Sequence, residues 1–412
     1  MEISVKKIYE ISLYTIFLIL LINVSARTLA FSLVLAIILL LIYLLQSKRY
    51  KIYSNWALVY LMLIFGLLFI EYIRLNFLSN TTISSSSIFL LYGGALLFIL
   101  VFPIYEVLCS NRDAFLYNIV LIGYGVLLFR ALMWGMHNFL HINFLFYGYG
   151  GGRTGWSRSI GGVLLERSNG TFIDGLLFAY SLSNLFSLSK VNVNRFKSLL
   201  GIIFLYIFAG IIYQSRVQIL FYSFTLLIAL LHYNSKRKNN LLWVFLVIFS
   251  ILFLYILFQS RINAFLGSFS PDAGEMGWST QVRMVEYSYF KQLWSDSNKW
   301  LGFGLISDAG GILRWSEGTA YQIYMSDVGF ILQLYQFGII GLIIDSIPLI
   351  KGMFTSIKAL KKNSNTYNSF IIYLTIYLVI SCTSFNPYVY ILIPILPLYV
   401  GILMNADYLQ YL

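Results

Sequence analysis

Long apolar runs separated by short polar stretches recur from one end of this chain to the other. Runs of about 16 to 22 residues are what roughly 30 Å of hydrocarbon requires of a helix rising 1.5 Å per residue. Twelve such runs are found: Tyr9–Val24, Leu29–Gln46, Trp56–Ile73, Ile88–Leu108, Phe115–Trp134, Phe172–Ser189, Ser198–Tyr213, Val217–His232, Leu241–Gln259, Ser326–Ile347, Asn368–Phe385 and Tyr388–Met404. The pattern predicts an all-α integral membrane protein of about twelve transmembrane helices, forming a single polytopic domain over residues 1–412.

Composition points the same way. Of 412 residues, 59% are hydrophobic and 11% charged, with a mean hydropathy of +0.79, which no soluble domain of this length shows. The first apolar run lacks a small-residue cleavage site after it and reads as a retained helix, so the mature chain is expected to start at Met1. Cys109 and Cys382 fall near opposite ends of the threaded bundle, so no disulfide framework is implied.

An even number of spans puts both termini on one side, and the positive-inside rule makes that side cytoplasmic. The stretches so placed hold twelve Lys and four Arg. The outer side receives Arg27, Arg74, Arg130, Arg153, Arg158, Arg167, Arg216, Arg261, Arg283 and Arg314, with only Lys291 and Lys299. Orientation needs charge alone, which lysine supplies. Arginine adds a planar fork that grips phosphate or carboxylate through two parallel hydrogen bonds. As a set, the outward arginines predict an anionic ligand, while Arg27 and Arg74 are read as headgroup anchors. The net charge of +12 is then mostly topology, and nucleic acid is excluded as a partner for want of a folded basic domain.

Two outer connections are long, 135–171 and 260–325, and long loops on a membrane scaffold carry function. The first contains YGYGGGRTGWSR, Tyr147 to Arg158, whose glycines permit close approach and whose aromatics alternate with Arg153 and Arg158. A flexible connector is the competing reading, and no phosphate-loop pattern is present. His137 and His141 lie four apart, yet a third ligand and a glutamate partner are lacking, so no metal site is assigned. The second loop holds Asp272, Glu275, Glu286, Asp296, Asp308 and Glu317 beside Trp278, Trp294, Trp300 and Trp315. Within it Met284, Val285, Tyr289, Phe290, Leu293 and Trp294 fall at near-helical spacing, predicting an amphipathic surface helix that lids a cavity. Trp278, Trp300 and Trp315 are candidates for stacking on sugar. Arg314 and Tyr324 complete the candidate substrate-binding set.

Arg216 sits in the tight connection YQSRVQIL, where a charge is pinned against hydrocarbon, a costly and usually functional placement. Arg283 follows in STQVR, a GFG turn spans Gly302–Gly304, and SDVGF places Asp327 at the start of the next span. With SDVGFILQLYQFGIIG, these residues resemble the Wzy O-antigen and capsular polysaccharide polymerases. The residue-level likeness is confined to about Gln214–Arg216 and Trp278–Gly341.

The resemblance implies a cofactor-free, metal-independent membrane glycosyltransferase. It would join undecaprenyl-pyrophosphate-linked oligosaccharide repeats on the outer side of the bacterial cytoplasmic membrane, with Arg216 and Arg283 on the pyrophosphate. Partners so implied are the lipid-linked oligosaccharide, membrane lipid, a chain-length regulator and a flippase. Asp327 or Glu317 would assist as a weak base, and helix capping is the other reading of Asp327. The related ligases carry a His-Asn pair eleven residues before the glycine that corresponds to Gly338, where this chain has Asp327 and no nearby histidine, which favours polymerase over ligase. A lipid-linked oligosaccharide flippase is the alternative from another class, though it would want cations within the spans and paired broken helices.

Overall fold

The computed structural model describes residues 5–22, 25–46, 49–52, 55–78, 94–142, 157–160, 163–168, 173–187, 195–235, 278–304, 325–361, 365–388 and 395–411, with Gly267 and Ser270. Its helices are α1 Val5–Ile22, α2 Ala26–Leu45, α3 Trp56–Leu78, α4 Val101–Leu140, α5 Ile173–Leu185, α6 Arg195–Ile207, α7 Arg216–Ser235, α8 Trp278–Ser295, α9 Leu332–Lys361, α10 Thr366–Ser381 and α11 Ile395–Tyr411. Among the described residues, six helical segments are long and apolar enough to cross a membrane. The number twelve rests on the sequence pattern. The expected span Leu241–Gln259 lies outside the described residues.

Two expected spans run together in one of these segments, Gly94–Leu140. The chain nevertheless reverses inside it, at Asn111, whose backbone (φ −153°, ψ 54°) is not helical. Before the break, Phe102 stacks on Tyr43 near the end of α2 and Glu106 accepts from the Tyr50 amide. After it, Asn118 donates to Tyr14 and Arg130 reaches the carbonyls of Leu21 and Ile22. The second half therefore runs alongside α1 in the same direction, and the connection between the spans shrinks to a kink.

Local chemistry fixes several ends. Ser25 caps α2 through a reciprocal box with Thr28, the Thr28 amide donating to Ser25 Oγ at 3.2 Å and the Ser25 amide to Thr28 Oγ1 at 2.8 Å. Asn365 caps α10 by accepting from the Asn368 amide at 2.7 Å. The helix expected to stop near Ile347 continues to Lys361. Its polar residues Lys351 and Lys358 are spaced among Met353, Phe354 and Ile357, so the helix carries on through the lysine-bearing end.

One element departs from an all-α fold. In the first long loop, β1 Ser157–Ile160 pairs antiparallel with β2 Val163–Glu166 in the register Arg158 to Leu165. Gly161 and Gly162 separate the strands, a composition that two-residue hairpins favour. That loop also starts later than expected, because α4 runs to Leu140 and closes on a left-handed His141 (φ 57°).

A large core joins α1, α2, α4, α5, α6, α7, α9, α10 and α11, built around Phe115, Phe178, Tyr222, Tyr377 and Tyr399. A second joins α3, the turn before α4 and the start of α4 itself, α9 and α11 around Tyr60, Phe98 and Tyr105. A third, small one fastens α8 to the start of α9 through Phe290, Val328, Leu332 and Tyr335.

Candidate anion site at the arginine-bearing end

The connection between α6 and α7 is a built turn. The last residues before it, Phe208–Ile212, widen into a π-turn. Gln214 is left-handed (φ 51°), and the Ser215 amide donates back to Ala209 O at 2.9 Å. The hairpin of the first long loop holds the turn from outside: the Ser168 amide donates to Ile212 O at 2.9 Å, and Gln214 Nε2 to Leu165 O at 3.3 Å. The hairpin is itself anchored to the end of α4. Trp134 Nε1 donates to Glu166 O at 2.7 Å, the Glu166 amide to Asn138 Oδ1 at 2.7 Å, and His137 Nε2 meets Glu166 Oε2 at 2.7 Å. His137 is thus a clamp on β2. Among the described residues no group of His, Cys, Asp and Glu is arranged to hold a metal.

This scaffolding places Arg216 as the first residue of α7, half-buried. A cation there adds to the positive end of the helix dipole, an arrangement that weakens the helix unless an anion joins it. The second arginine comes from α8. The helix forms where predicted, but its faces differ from the expected ones: Phe290 is buried, the acid Glu286 is buried with it, and Met284, expected on the apolar side, is exposed. Its apolar side packs on protein rather than on lipid. Tyr287 OH donates to Val328 O at 2.9 Å and Phe290 stacks on Phe303 at 6.2 Å. At its end Lys299 Nζ donates to Trp294 O and Ser295 O, satisfying the last carbonyls.

Arg283 projects from the same helix one turn before Tyr287 and is the charged group that acts on Arg216. Arg283 makes no ion pair among the described residues, and its Nε is buried without a hydrogen-bond partner. Burial raises the Tyr287 phenol above its ordinary value; Arg283 opposes that shift and Glu286 adds to it. Two guanidinium groups from distant parts of the sequence therefore feel each other's charge, one of them at a helix N-terminus.

The GFG turn fixes where α8 stands. Gly302 and Gly304 are left-handed (φ 65° and 97°), as is Gly338 (φ 65°), where α9 breaks. The break strands backbone groups that the turn then satisfies. The Phe303 and Gly304 amides donate to Tyr335 O at 3.0 Å and Gln336 O at 2.8 Å, while the Ile339 and Ile340 amides donate to Lys299 O and Trp300 O. Arg74 locks the other side, donating to Leu301 O at 2.8 Å, Gly302 O at 3.0 Å and Glu71 Oε1 at 2.6 Å.

Arg74 is therefore not a headgroup anchor: the turn's stranded carbonyls and a buried Glu71 claim its fork. Arg130 likewise caps α1 through Leu21 O at 2.6 Å and Ile22 O at 3.2 Å. These outward arginines serve structure, and the ligand-facing set narrows accordingly.

Of the other candidates, Trp300 lies in the docked turn with its side chain 61% exposed. Arg158 lies in β1, Trp278 opens α8, and Asp327 falls in the 3₁₀ segment Met325–Ile331; the side chains of these three are outside the described residues. Arg153, Arg314, Trp315, Glu317 and Tyr324 also lie outside them.

A polar cluster unmarked by the sequence reading lies just inside the bundle from Arg216. Asp174, buried at the start of α5, accepts from Gln218 Nε2 and from Tyr222 OH, both at 2.9 Å, and Gln218 also donates to Tyr377 OH. Its signal was the lone acid in FIDGLLFAY, since an ionisable residue within an apolar span is seldom idle. A cavity of about 370 Å³ lined by Arg112, Asn365, Tyr367 and Asn368 lies at the lysine-bearing end. It is remote from the arginine pair and takes no part in that site.

Taken together, the apolar helices define a helical membrane protein with a cationic site at one end of its bundle. No family model matches the chain, and comparison with characterised proteins likewise finds no match.

Proposed function

We propose that this protein is a Wzy-type polysaccharide polymerase. In this reading it joins undecaprenyl-pyrophosphate-linked oligosaccharide repeats on the outer side of the bacterial cytoplasmic membrane, with both termini in the cytoplasm. The observation that carries the reading is the charge of Arg283 acting on Arg216 at the start of α7, with no acid paired to Arg283 among the described residues. Like charges are brought together at a cost that a bound dianion offsets.

Outside the membrane no nucleotide drives glycosyl transfer, so the donor must arrive activated, and a lipid pyrophosphate is such a donor. The hydroxyl of an acceptor repeat attacks the anomeric carbon of the donor sugar. The bond from that carbon to the pyrophosphate oxygen breaks, and the electron pair leaves with the pyrophosphate. Arg216 and Arg283 stabilise the charge growing there. The hydroxyl proton passes to Asp327 or Glu317, or to water. Trp278, Trp300 and Trp315 supply stacking faces for sugar, and a flippase and a chain-length regulator act before and beside the reaction.

The test is a gel and mass analysis of lipid-linked and surface glycans from the source bacterium lacking this gene, beside a strain complemented with the intact chain. Loss of the polymer ladder with surviving single-repeat material is expected. Full-length polymer stranded on its lipid carrier would instead mean a ligase, and absence of repeats from the outer side would mean a flippase.

A further inference from the structure

Three buried carboxyl groups line the packing of α3, α9 and α11, and the middle one stands alone. Glu71, on α3, is wholly buried and paired with Arg74 at 2.6 Å. Asp407, on α11, is buried, paired with Lys351 at 2.9 Å, and accepts from Trp56 Nε1 at 2.9 Å. Asp345, on α9, lies seven residues beyond Gly338 and six before Lys351. At 1.5 Å per residue that is about 10 Å from the docked turn and about 9 Å from the lysine.

Asp345 is 2% exposed. Its Oδ1 is buried without a hydrogen-bond partner, and no cation lies within ion-pair distance of it among the described residues. Among the described residues its backbone carbonyl is engaged, by Tyr388 OH at 2.7 Å, and that hydroxyl lies 3.0 Å from Tyr60 OH. The apolar cluster packed between α3, α9 and α11 includes Ile64, Leu67, Phe98 and the neighbouring Ile344.

An ionised carboxylate with neither a cation nor hydrogen bonds is untenable in such surroundings, so this group must be neutral and hold a proton. A purely structural position would be filled better by an apolar side chain, and ionisable residues inside spans mark ion pathways. The titratable groups facing Asp345 are Tyr60 from α3 and Tyr388 from the segment after α10, with Cys382 beyond Tyr388. The charged groups nearest along the line, Glu71 with Arg74 and Asp407 with Lys351, are tied to each other.

We propose that Asp345 is a proton-binding site inside the membrane domain, a carboxyl that holds a proton at rest and releases it at alkaline pH. The site is separate from the arginine pair and stands whether or not the protein polymerises glycan.

The test is pH-difference infrared spectroscopy of the full chain in lipid vesicles, with and without sodium. A protonated-carboxyl band is expected that disappears at alkaline pH, is absent from Asp345→Asn, and does not respond to sodium. A band lost in Asp345→Asn but constant at every pH would overturn the proposal in favour of a fixed neutral acid. A midpoint that moves with sodium concentration would overturn it in favour of a sodium site, and no Asn-sensitive band would mean an ionised group. Should Asp345→Asn fail to insert, dicyclohexylcarbodiimide reads the unaltered chain, because it modifies protonated carboxyls in apolar surroundings. Modification at Asp345 that falls about tenfold per pH unit past its midpoint supports the site, whereas modification that is absent or level across pH sinks it.

Discussion

Replacing Gly302 by alanine tests whether the GFG turn is the joint between the surface helix α8 and the broken helix α9. A Cβ at Gly302 would lie 2.4 Å from the carbonyl oxygens of both Tyr335 and Gln336, where real contacts do not fall below 3.0 Å. Both obstacles are backbone, so turn and helix must part by about 0.6 Å, the difference of those distances. The Phe303 to Tyr335 hydrogen bond would then stretch from 3.0 Å to about 3.6 Å, beyond useful range, and that from Gly304 would follow it. Two lost hydrogen bonds cost about 1 kcal/mol each, and a left-handed alanine adds about 1–2 kcal/mol. The sum is about 3–4 kcal/mol, concentrated at the joint that positions Arg283. The assay is thermal unfolding of purified Gly302→Ala in detergent, beside Gly66→Ala, where a Cβ meets nothing within 4 Å. A clear drop in midpoint is expected for the first and little change for the second. Equal stability of the two variants would refute the docking of the turn on α9.

Arg216→Lys keeps the charge and loses the two-pronged grip; one charged hydrogen bond lost at about 1.5–3 kcal/mol means a polymerisation rate about ten- to a hundredfold lower. Glycan ladders from a strain expressing the variant at normal membrane levels check this, and wild-type polymer length would count against the role. Arg74→Ala removes the partner of a wholly buried Glu71 and both clamps on the turn, so a loss of about 3 kcal/mol is expected in thermal unfolding; a neutral result would return Arg74 to the lipid surface. Tyr287→Phe deletes the bond to Val328 O and should cost about 1 kcal/mol. Because burial raises the phenol above its ordinary value of 10.0, that contribution is complete below pH 10.0 and is lost only as pH rises through the folded value. Stability curves of the two proteins that converge near neutral pH would contradict the assignment.

Hydrophobic run length alone determined that this is a helical membrane protein, because a span must bury its backbone polar groups within itself, whatever its neighbours do. The same local logic marked the amphipathic α8 from the spacing of Phe290, Leu293 and Trp294. It also singled out Arg216, since charge pinned at the edge of an apolar run is costly wherever the chain goes, whereas Arg283 was marked by its place in STQVR and by resemblance. Their relation was decided by tertiary structure: 67 positions separate them, and α8 is held in place by the turn at Gly302 docking on the break at Gly338. Arg74 shows the reverse. In sequence it looks like any arginine at the end of a span, and its role appears only once the carbonyls of Leu301 and Gly302 arrive to receive it. Asp174, Glu71 and Asp345 each stand as a lone acid in an apolar run. Glu71 has its arginine one turn along the same helix, but nothing local distinguishes Asp174, bonded to Gln218 and Tyr222, from Asp345, because those partnerships are decided across helices and not along them.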